Sequence, residues 1–332
     1  MTKIYIVRHA EAEGNLYRRI HGQTEGRVTE NGKRQIEALE QRFSQIPVDV
    51  CLTSDLLRTR TTAQAVCRPN GLQMRPDQRL REVHLGCWED VPFGQLYARD
   101  SKSMEQFDYD PVNWKVEGSE PYEVYTGRFL EAMKEVVEQY RGGTVCLVSH
   151  GAVIRGVLQT LFPDMPAGHS DNTAVTLLTE DNGVYTPVYF NDNSHLSEEI
   201  STLAQQNWWR SEDGGKKDHN VWFVPGVQKL DDLSPVSGRY GWTAMLEETP
   251  VGTVCVEDRG EWEAEVTYLG LIPCYRGKDL TIQLLGQAVY AMRKLGKKRL
   301  VLPVHTVLDD FCEKYGLKQK HGFWSLELTL EE

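Results

Sequence analysis

The first apolar run of the chain, Ile4-Tyr5-Ile6-Val7, ends at once in Arg8-His9. A guanidinium beside an imidazole suits an anionic substrate together with a nucleophile or a proton carrier. Three further pieces carry groups of the same kind: Arg58 within Ser54-Asp55-Leu56-Leu57-Arg58-Thr59, Glu82 within Leu80-Arg81-Glu82-Val83-His84-Leu85-Gly86, and His150 within Ser149-His150-Gly151. Brought together, two guanidinium groups and two imidazoles can ring one phosphoryl group, because the planar arginine fork donates to phosphate oxygens in pairs. Singly, each has a plainer reading: Arg58 as a surface helix residue, Glu82 as a solvated carboxylate, His150 as a strand end. The joint occurrence in this order carries the functional reading.

The elements that must position these groups are legible from hydrophobic spacing. Residues 4–7 read as a buried strand, and the tip of such a strand in an α/β protein is where ligands sit. Ile36, Leu39, Phe43 and Ile46 have helical spacing within 29–46, with Thr29 placed to cap. Residues 48–53 are a second buried strand, followed by a helix through Leu57, Thr61 and Ala65 that Ser54 or Asp55 would cap. The stretch 83–117 reads as irregular, an ordered lid given its aromatic content. A long amphipathic helix over 120–140, a strand at 144–148 and a helix to Phe162 follow. Strands at 175–179 and 184–190 flank Asp181-Asn182-Gly183, a hairpin turn expected to close one sheet edge. Alternating strands and helices imply a mainly parallel sheet covered on both faces, an α/β domain over 1–195.

A polar bridge at 191–217 contains a linker helix, 196–207, that runs to Trp208-Trp209. From 208 to 332 the order changes. Strands are expected at 222–224, 241–247 and 251–257, the last two joined around Thr249-Pro250. A strand at 264–272, a helix at 279–295, a strand at 299–304, a helix at 307–315 and a strand at 323–330 complete a mixed α+β domain.

Composition excludes several classes. The chain of 332 residues is 40% hydrophobic and 26% charged, with no apolar run near the ~20 residues that span a bilayer. No signal-peptide pattern opens it. A net charge of −11 argues against nucleic acid as a partner. Seven scattered cysteines without a C-x-x-C pair suit a reduced, cytoplasmic protein.

On these residues the first half resembles the histidine phosphatase superfamily, with its three-layer phosphoglycerate mutase-like fold. The matching residues are Arg8-His9-Ala10-Glu11 with Asn15, Gly22 followed by Thr29 and Gly32, Ser54 with Arg58, Glu82 with Gly86 and Trp88-Glu89, and Ser149-His150-Gly151. Ala10 stands where the family usually has Gly, and Glu25 where Asp is commoner. The resemblance implies that His9, uncharged, attacks phosphorus and becomes phosphohistidine. Arg8, Arg58 and His150 would hold the equatorial oxygens, with Asn15, Gly22 and Gly151 as substrate contacts. Glu82 would protonate the leaving oxygen and then deprotonate water, its pKa raised beside a bound phosphate. No metal is implied. Family mutases carry longer insertions around the acid-bearing loop, so the compact arrangement points to hydrolysis of a small phosphomonoester, with mutase-type transfer as the alternative. Sugar phosphates, phosphoglycerates and nucleotide-like esters are all admissible. His21, His84 and His169 read as loop residues, His84 near enough to Glu82 to line the pocket, and Trp88, Trp114 and Tyr122 as lid packing.

The second half resembles GNAT N-acetyltransferases. In residues 269–283, LGLIPCYRGKDLTIQ, a strand that splays in that family meets its R-x-x-G-x-G/A turn, where backbone N–H groups cradle the pyrophosphate of acyl-CoA. Arg276, Gly277 and Lys278 fit as cofactor-binding residues, which implies acetyl-CoA and an acyl-acceptor amine, with Glu263 and Glu265 as candidate bases. Asp279 and Thr281 occupy the two glycine positions. Cys312 stands where the family carries its general-acid Tyr, with Tyr315 three residues on. The expectation is a phosphatase fused to an acetyltransferase-like module, either bifunctional or with a second half that binds a partner or stabilises the first.

Overall fold

The computed structural model describes residues 1–165, 168–206, 219–230, 233, 238–304 and 308–330. The expected boundary at Trp208-Trp209, the polar stretch 211–217 and the helix start at Val307 lie outside the described residues. In chain order the elements are β1 (Thr2–Arg8), α1 (Glu13–Leu16), β2 (Arg19–Ile20), α2 (Glu30–Phe43), β3 (Val50–Thr53), α3 (Leu57–Asn70), β4 (Arg75–Pro76), β5 (Val91–Pro92), α4 (Phe93–Arg99), α5 (Ser101–Tyr109), α6 (Tyr122–Gln139), β6 (Thr144–Ser149) and α7 (Gly151–Leu161). There follow β7 (Val175–Asp181), β8 (Val184–Asp192), α8 (Thr202–Gln205), β9 (Trp222–Pro225), β10 (Tyr240–Leu246), β11 (Thr249–Asp258), β12 (Glu263–Leu271), α9 (Thr281–Lys294), β13 (Arg299–Pro303), α10 (Asp309–Lys314), β14 (Lys318–Lys320) and β15 (Phe323–Glu327).

The chain forms two compact units. The first comprises 1–12, 21–89 and 102–218; the second comprises 13–20, 90–101 and 219–332. The first is built on a six-stranded sheet in the order β4-β3-β6-β1-β7-β8. β4, β3, β6 and β1 are mutually parallel, β7 runs antiparallel to β1, and the β7–β8 hairpin closes that edge. Successive strand side chains point to opposite faces. Tyr5, Val7, Cys51, Cys146 and Val148 accordingly pack with Ile36, Leu39 and Phe43 of α2 and Ala63 and Val66 of α3. The alternate face, with Ile4, Ile6 and Leu147, is covered by α6 and α7. No helix among the described residues is long and apolar enough to cross a membrane.

Three local expectations need correction. Thr29 caps α2 as expected, its hydroxyl accepting from Gly32 N at 2.9 Å, but neither Ser54 nor Asp55 is the cap residue of α3. Leu56 holds that position without a side-chain bond, and Glu25 reaches in to accept from Leu57 N at 3.0 Å. Asp55 is taken by Arg81 in a bidentate pair with both distances 2.6 Å. The stretch expected to be irregular holds two helices, α4 and α5. α5 buries only Met104 fully, so its periodicity is too faint to read.

The second unit is a seven-stranded sheet, β14-β15-β13-β12-β11-β10-β9, whose core gathers Val254, Val256, Val266, Leu284, Leu285, Val289 and Trp324. β12 and β13 pair in parallel only over 263–265 with 299–301. Beyond that point nothing on β13 pairs with β12, which is the splay expected there. The β10–β11 turn lies at 247–248 and not at Thr249-Pro250. Glu247 takes the left-handed φ of 52°, and Pro250 sits in β11 opposite Met245, where a register shift excuses its missing N–H.

Candidate active site

The parallel register delivers the site. Arg8 lies opposite Ser149 across β1 and β6, so both strands end at one level and release His9 and His150 side by side. Their ring centroids are 5.2 Å apart at 59°. On the other flank of β6, Thr53 of β3 lies opposite Val148, which brings Ser54 to the same level, and its Oγ lies 2.9 Å from His150 Nε2.

His9 Nδ1 is 2.7 Å from the Ala10 carbonyl oxygen. A carbonyl can only accept, so Nδ1 carries the proton and Nε2 keeps its lone pair. Burial, then Arg58 and Arg8, hold the His9 pKa well below the ordinary value. Burial, then Arg58 and His9, do the same for His150. Both rings are therefore neutral at pH 7. The nucleophile's turn is anchored to α3: Ala10 N donates to Thr62 Oγ1 at 2.9 Å, and that hydroxyl donates to Arg58 O at 2.7 Å.

The two arginines are held differently. Arg58, 1% exposed, donates from Nη1 to Thr24 O at 2.9 Å and from Nη2 to Gly22 O at 2.7 Å. Those carbonyls are in turn set by Glu89, which accepts from the N–H groups of Gln23 at 2.8 Å, Thr24 at 3.0 Å and Leu85 at 3.0 Å, and from Thr24 Oγ1 at 2.5 Å. Burial would raise the Glu89 pKa, but these donors outweigh it and hold the carboxyl below its usual range. Arg8 donates from Nη1 to Ser170 O, and its guanidinium lies against Gly151. A Cβ at 151 would stand 3.1 Å from Arg8 Nε and 3.3 Å from Cζ. Arg8 Nε and His150 Nδ1 are buried without a hydrogen-bond partner among the described residues, as groups facing an anionic ligand would be.

Glu82 sits on the N-terminus of α7, the helix that begins directly after His150. It accepts from Ala152 N at 3.0 Å and Val153 N at 2.8 Å, two of the amides that a helix start leaves without an intrahelical partner. Arg128 fixes the segment bearing it through Arg79 O at 2.7 Å, Arg81 O at 2.6 Å and Glu82 O at 2.9 Å.

The first unit thus gathers Arg8, His9, Gly22, Arg58, Glu82, His150 and Gly151. Asn15 lies in α1, a four-residue helix belonging to the second unit. His84 is exposed and bonds to the Gly118 carbonyl at 3.1 Å, so it staples the loop. Trp88, Phe107 and Trp114 form an aromatic cluster with centroids 4.9–6.0 Å apart, and Tyr122 Oη donates to Gly156 O at 2.8 Å. Ser54, read as a helix cap, and Glu89 were given no place in the site from the sequence, nor were Thr62 and Asn172, whose Nδ2 donates to His9 O at 3.0 Å. A polar run, Ser170-Asp171-Asn172-Thr173, directly before a buried strand was the one available signal for the last.

In the second unit, Arg276 Nε donates back to Leu271 O at 3.1 Å, and the Lys278 ammonium lies 5.0 Å over the Tyr275 ring. Asp279 adopts φ 53°, the left-handed conformation a glycine would take, yet it places a carboxylate on the turn, 4.0 Å from Lys314 Nζ. Cys312 is buried, and burial pushes its thiol up to about 12. The side chains of the turn do not fit a pyrophosphate, since Asp279 puts a carboxylate on it.

A mainly parallel sheet whose strand tips carry Arg8 and two neutral histidines, with Arg58 of α3 and Glu82 beside them, suits phosphoryl transfer. Residues 4–193 match the family model of the histidine phosphatase superfamily, branch 1, and the chain belongs to that superfamily. Residues 203–323 match the GNAT acetyltransferase family. The probable phosphoglycerate mutase GpmB of Serratia proteamaculans is 32% identical over 162 residues, 49% of this chain and 75% of that protein. Among solved structures, Bacillus stearothermophilus YhfR is similar at TM-score 0.56 and 27% identity, over 59% of this chain and 100% of that one. A mycobacterial glucosyl-3-phosphoglycerate phosphatase in complex with VO3 is similar at TM-score 0.54 and 25% identity, over 57% and 99% of the two chains.

Proposed function

We propose that the first unit hydrolyses a small phosphomonoester through a phosphohistidine at His9. The observation that carries this reading is the neutral His9 ring, its proton committed to Ala10 O and Nε2 left with a lone pair beside two guanidinium groups. In the first step Nε2 attacks phosphorus, the P–O bond to the alcohol breaks, and Glu82 gives its proton to the departing oxygen. In the second, water attacks phosphorus, the P–N bond breaks, and Glu82 takes the water's proton as phosphate leaves. Arg8, Arg58 and His150 stabilise the charge on the equatorial oxygens, and removing one such donor typically costs ~100–1000-fold in rate. Arg58 is buried and already held by the Gly22 and Thr24 carbonyls, so little reorganisation accompanies the reaction.

The phosphatase named among the similar structures supports hydrolysis. The curated relative named as a probable phosphoglycerate mutase favours a second reading, in which the same phosphoenzyme returns the group to a substrate hydroxyl instead of to water. Turnover of an aryl phosphate in excess chelator, lost by about 1000-fold or more on His9→Ala, tests the shared step. Phosphoglycerate as substrate separates the two, since release of inorganic phosphate supports hydrolysis and isomerisation without release supports mutase action. No turnover over a broad phosphate-ester panel ends both. For the second unit, Asp279 supports no acetyl-CoA binding, and calorimetry to millimolar acetyl-CoA should give no heat.

A further inference from the structure

Within the first unit, the run Ser170-Asp171-Asn172-Thr173 leads into β7 and holds both groups at the tip of β1. Ser170 O accepts from Arg8 Nη1. The His9 carbonyl accepts twice, from Asn172 Nδ2 at 3.0 Å and from Thr173 N at 3.3 Å. Thr173 does this at φ 60°. A β-branched residue is unfavourable in that left-handed region and persists only where its surroundings over-determine it.

The surroundings that do so come from residues 192–203, which follow the last strand of the sheet. Asp171, 1% exposed, accepts from Asn172 N at 2.8 Å, Leu203 N at 3.1 Å, Asn193 Nδ2 at 3.0 Å and Ser201 Oγ at 2.5 Å. On the other side, Thr173 Oγ1 donates to Asn172 O at 2.7 Å. Its hydroxyl proton is therefore spent, and at the 3.1 Å contact with His195 Nε2 the ring must donate. Arg42 Nη1 can only donate and lies 3.3 Å from His195 Nδ1, which fixes the same tautomer. Burial, then Arg42, lower the His195 pKa to about 4, so the ring is neutral at pH 7. Arg42 is held in turn by Asp192 at 2.7 Å and by Tyr189 Oη at 3.0 Å.

We infer that Asp171 and His195 are positioning residues for phosphoryl transfer: residues 192–203 act through them as a strap that fixes the run 170–173, and so sets the main chain of His9 and the aim of the Arg8 guanidinium. Both act through that run and touch no reacting atom. The inference rests on the phosphatase reading.

The test uses the full chain with an aryl phosphate, reading kcat/KM, the melting temperature, and inhibition by orthovanadate and by inorganic phosphate. Vanadate, unlike phosphate, can take a fifth ligand from His9 Nε2, so it reports where the ring stands relative to the transition-state geometry. Asp171→Asn and His195→Ala, on opposite sides of the run, should each lower kcat/KM by about 10–100-fold, the usual result of a small displacement near the chemistry. Each should raise the inhibition constant of vanadate by about tenfold, further than that of phosphate. Ser201→Ala should move the same readouts in the same direction, and Ser201→Thr, which keeps the hydroxyl, should restore them. Val137→Ala, in the core of the same unit, should lower the melting temperature and leave kcat/KM and vanadate inhibition unmoved. Should Asp171→Asn fail to fold, the His195 and Ser201 variants decide. An active chain with kcat/KM and vanadate inhibition unmoved in His195→Ala and Ser201→Ala overturns the positioning role alone, as does an equal loss in Val137→Ala. A wild-type chain with no turnover overturns the phosphatase reading, and the positioning role with it.

Discussion

His9 and His150 sit where a charged imidazole is unfavourable, and this has a thermodynamic signature. The unfolded chain protonates each at about 6.5, whereas the folded chain resists protonation until well below that. Below pH ~6.5 the unfolded state therefore binds more protons, and stability falls as pH drops, by up to about 1.4 kcal/mol per pH unit for each ring. Denaturant unfolding from pH 7 to pH 5 should show this slope, and His150→Gln should make it shallower by about one proton. The acid limb of kcat/KM assigned to His9 should likewise lie below 6.5. A second expectation concerns Glu89. Glu89→Gln removes charge-assisted bonds worth about 1.5–3 kcal/mol each from the loop whose carbonyls aim Arg58. Phosphate affinity should fall by an order of magnitude or more, measured with inorganic phosphate as a competitive inhibitor. At this scale the sequence was readable where a polar group interrupts an apolar run: Arg8, His9 and His150 stand at strand ends, and Arg58 and Glu82 fall into order behind them. Glu89 and Thr62 were not readable as partners, because nothing local says which carboxylate or hydroxyl meets which loop amide.

Among the elements, strand register decides the chemistry. A slip of one residue between β1 and β6 would turn every side chain to the other face and separate the two histidines. The start of α7 is as constrained. In Gly151→Ala the new methyl meets Arg8 Nε at 3.1 Å. Alanine suits a helix better than glycine, so the melting temperature should hold or rise while kcat/KM falls about 10–100-fold, the usual result of a displacement well under 1 Å near the chemistry. Unchanged activity would show that Arg8 yields freely. The alternation of apolar runs and amphipathic segments was enough to expose α2, α6, β6 and the β7–β8 hairpin. It failed for α4 and α5, where few buried positions mark a period, and at Pro250, where a proline inside a strand imitates a turn.

For the whole molecule, the two units do not divide the sequence at one point. Residues 1–206 expressed alone lack the partners that 13–20 and 90–101 have in 219–332, although the two stretches still pair with each other. The fragment should melt lower and lose protease resistance over those stretches. The reciprocal fragment, 203–332, leaves Arg293 without Glu13, and breaking a buried pair by removing one partner costs about 3–5 kcal/mol, so it should not fold independently by circular dichroism. A fragment with native stability and activity would contradict the division drawn here. Both fold classes were visible in the order of strands and helices. The interleaving was not, since the residues of 13–20 differ in no compositional way from a surface loop, and their partners on α9 lie more than 260 residues away.

That interleaving sets a timetable. On a ribosome the turn containing Asn15 emerges among the first residues, while α9 is translated some 260 residues later. At ~5–20 residues per second, the earliest-made turn waits roughly 13–50 s for the helix that shapes it. A polypeptide whose synthesis stalls in between carries His9 but leaves 13–20 without the helix it packs on.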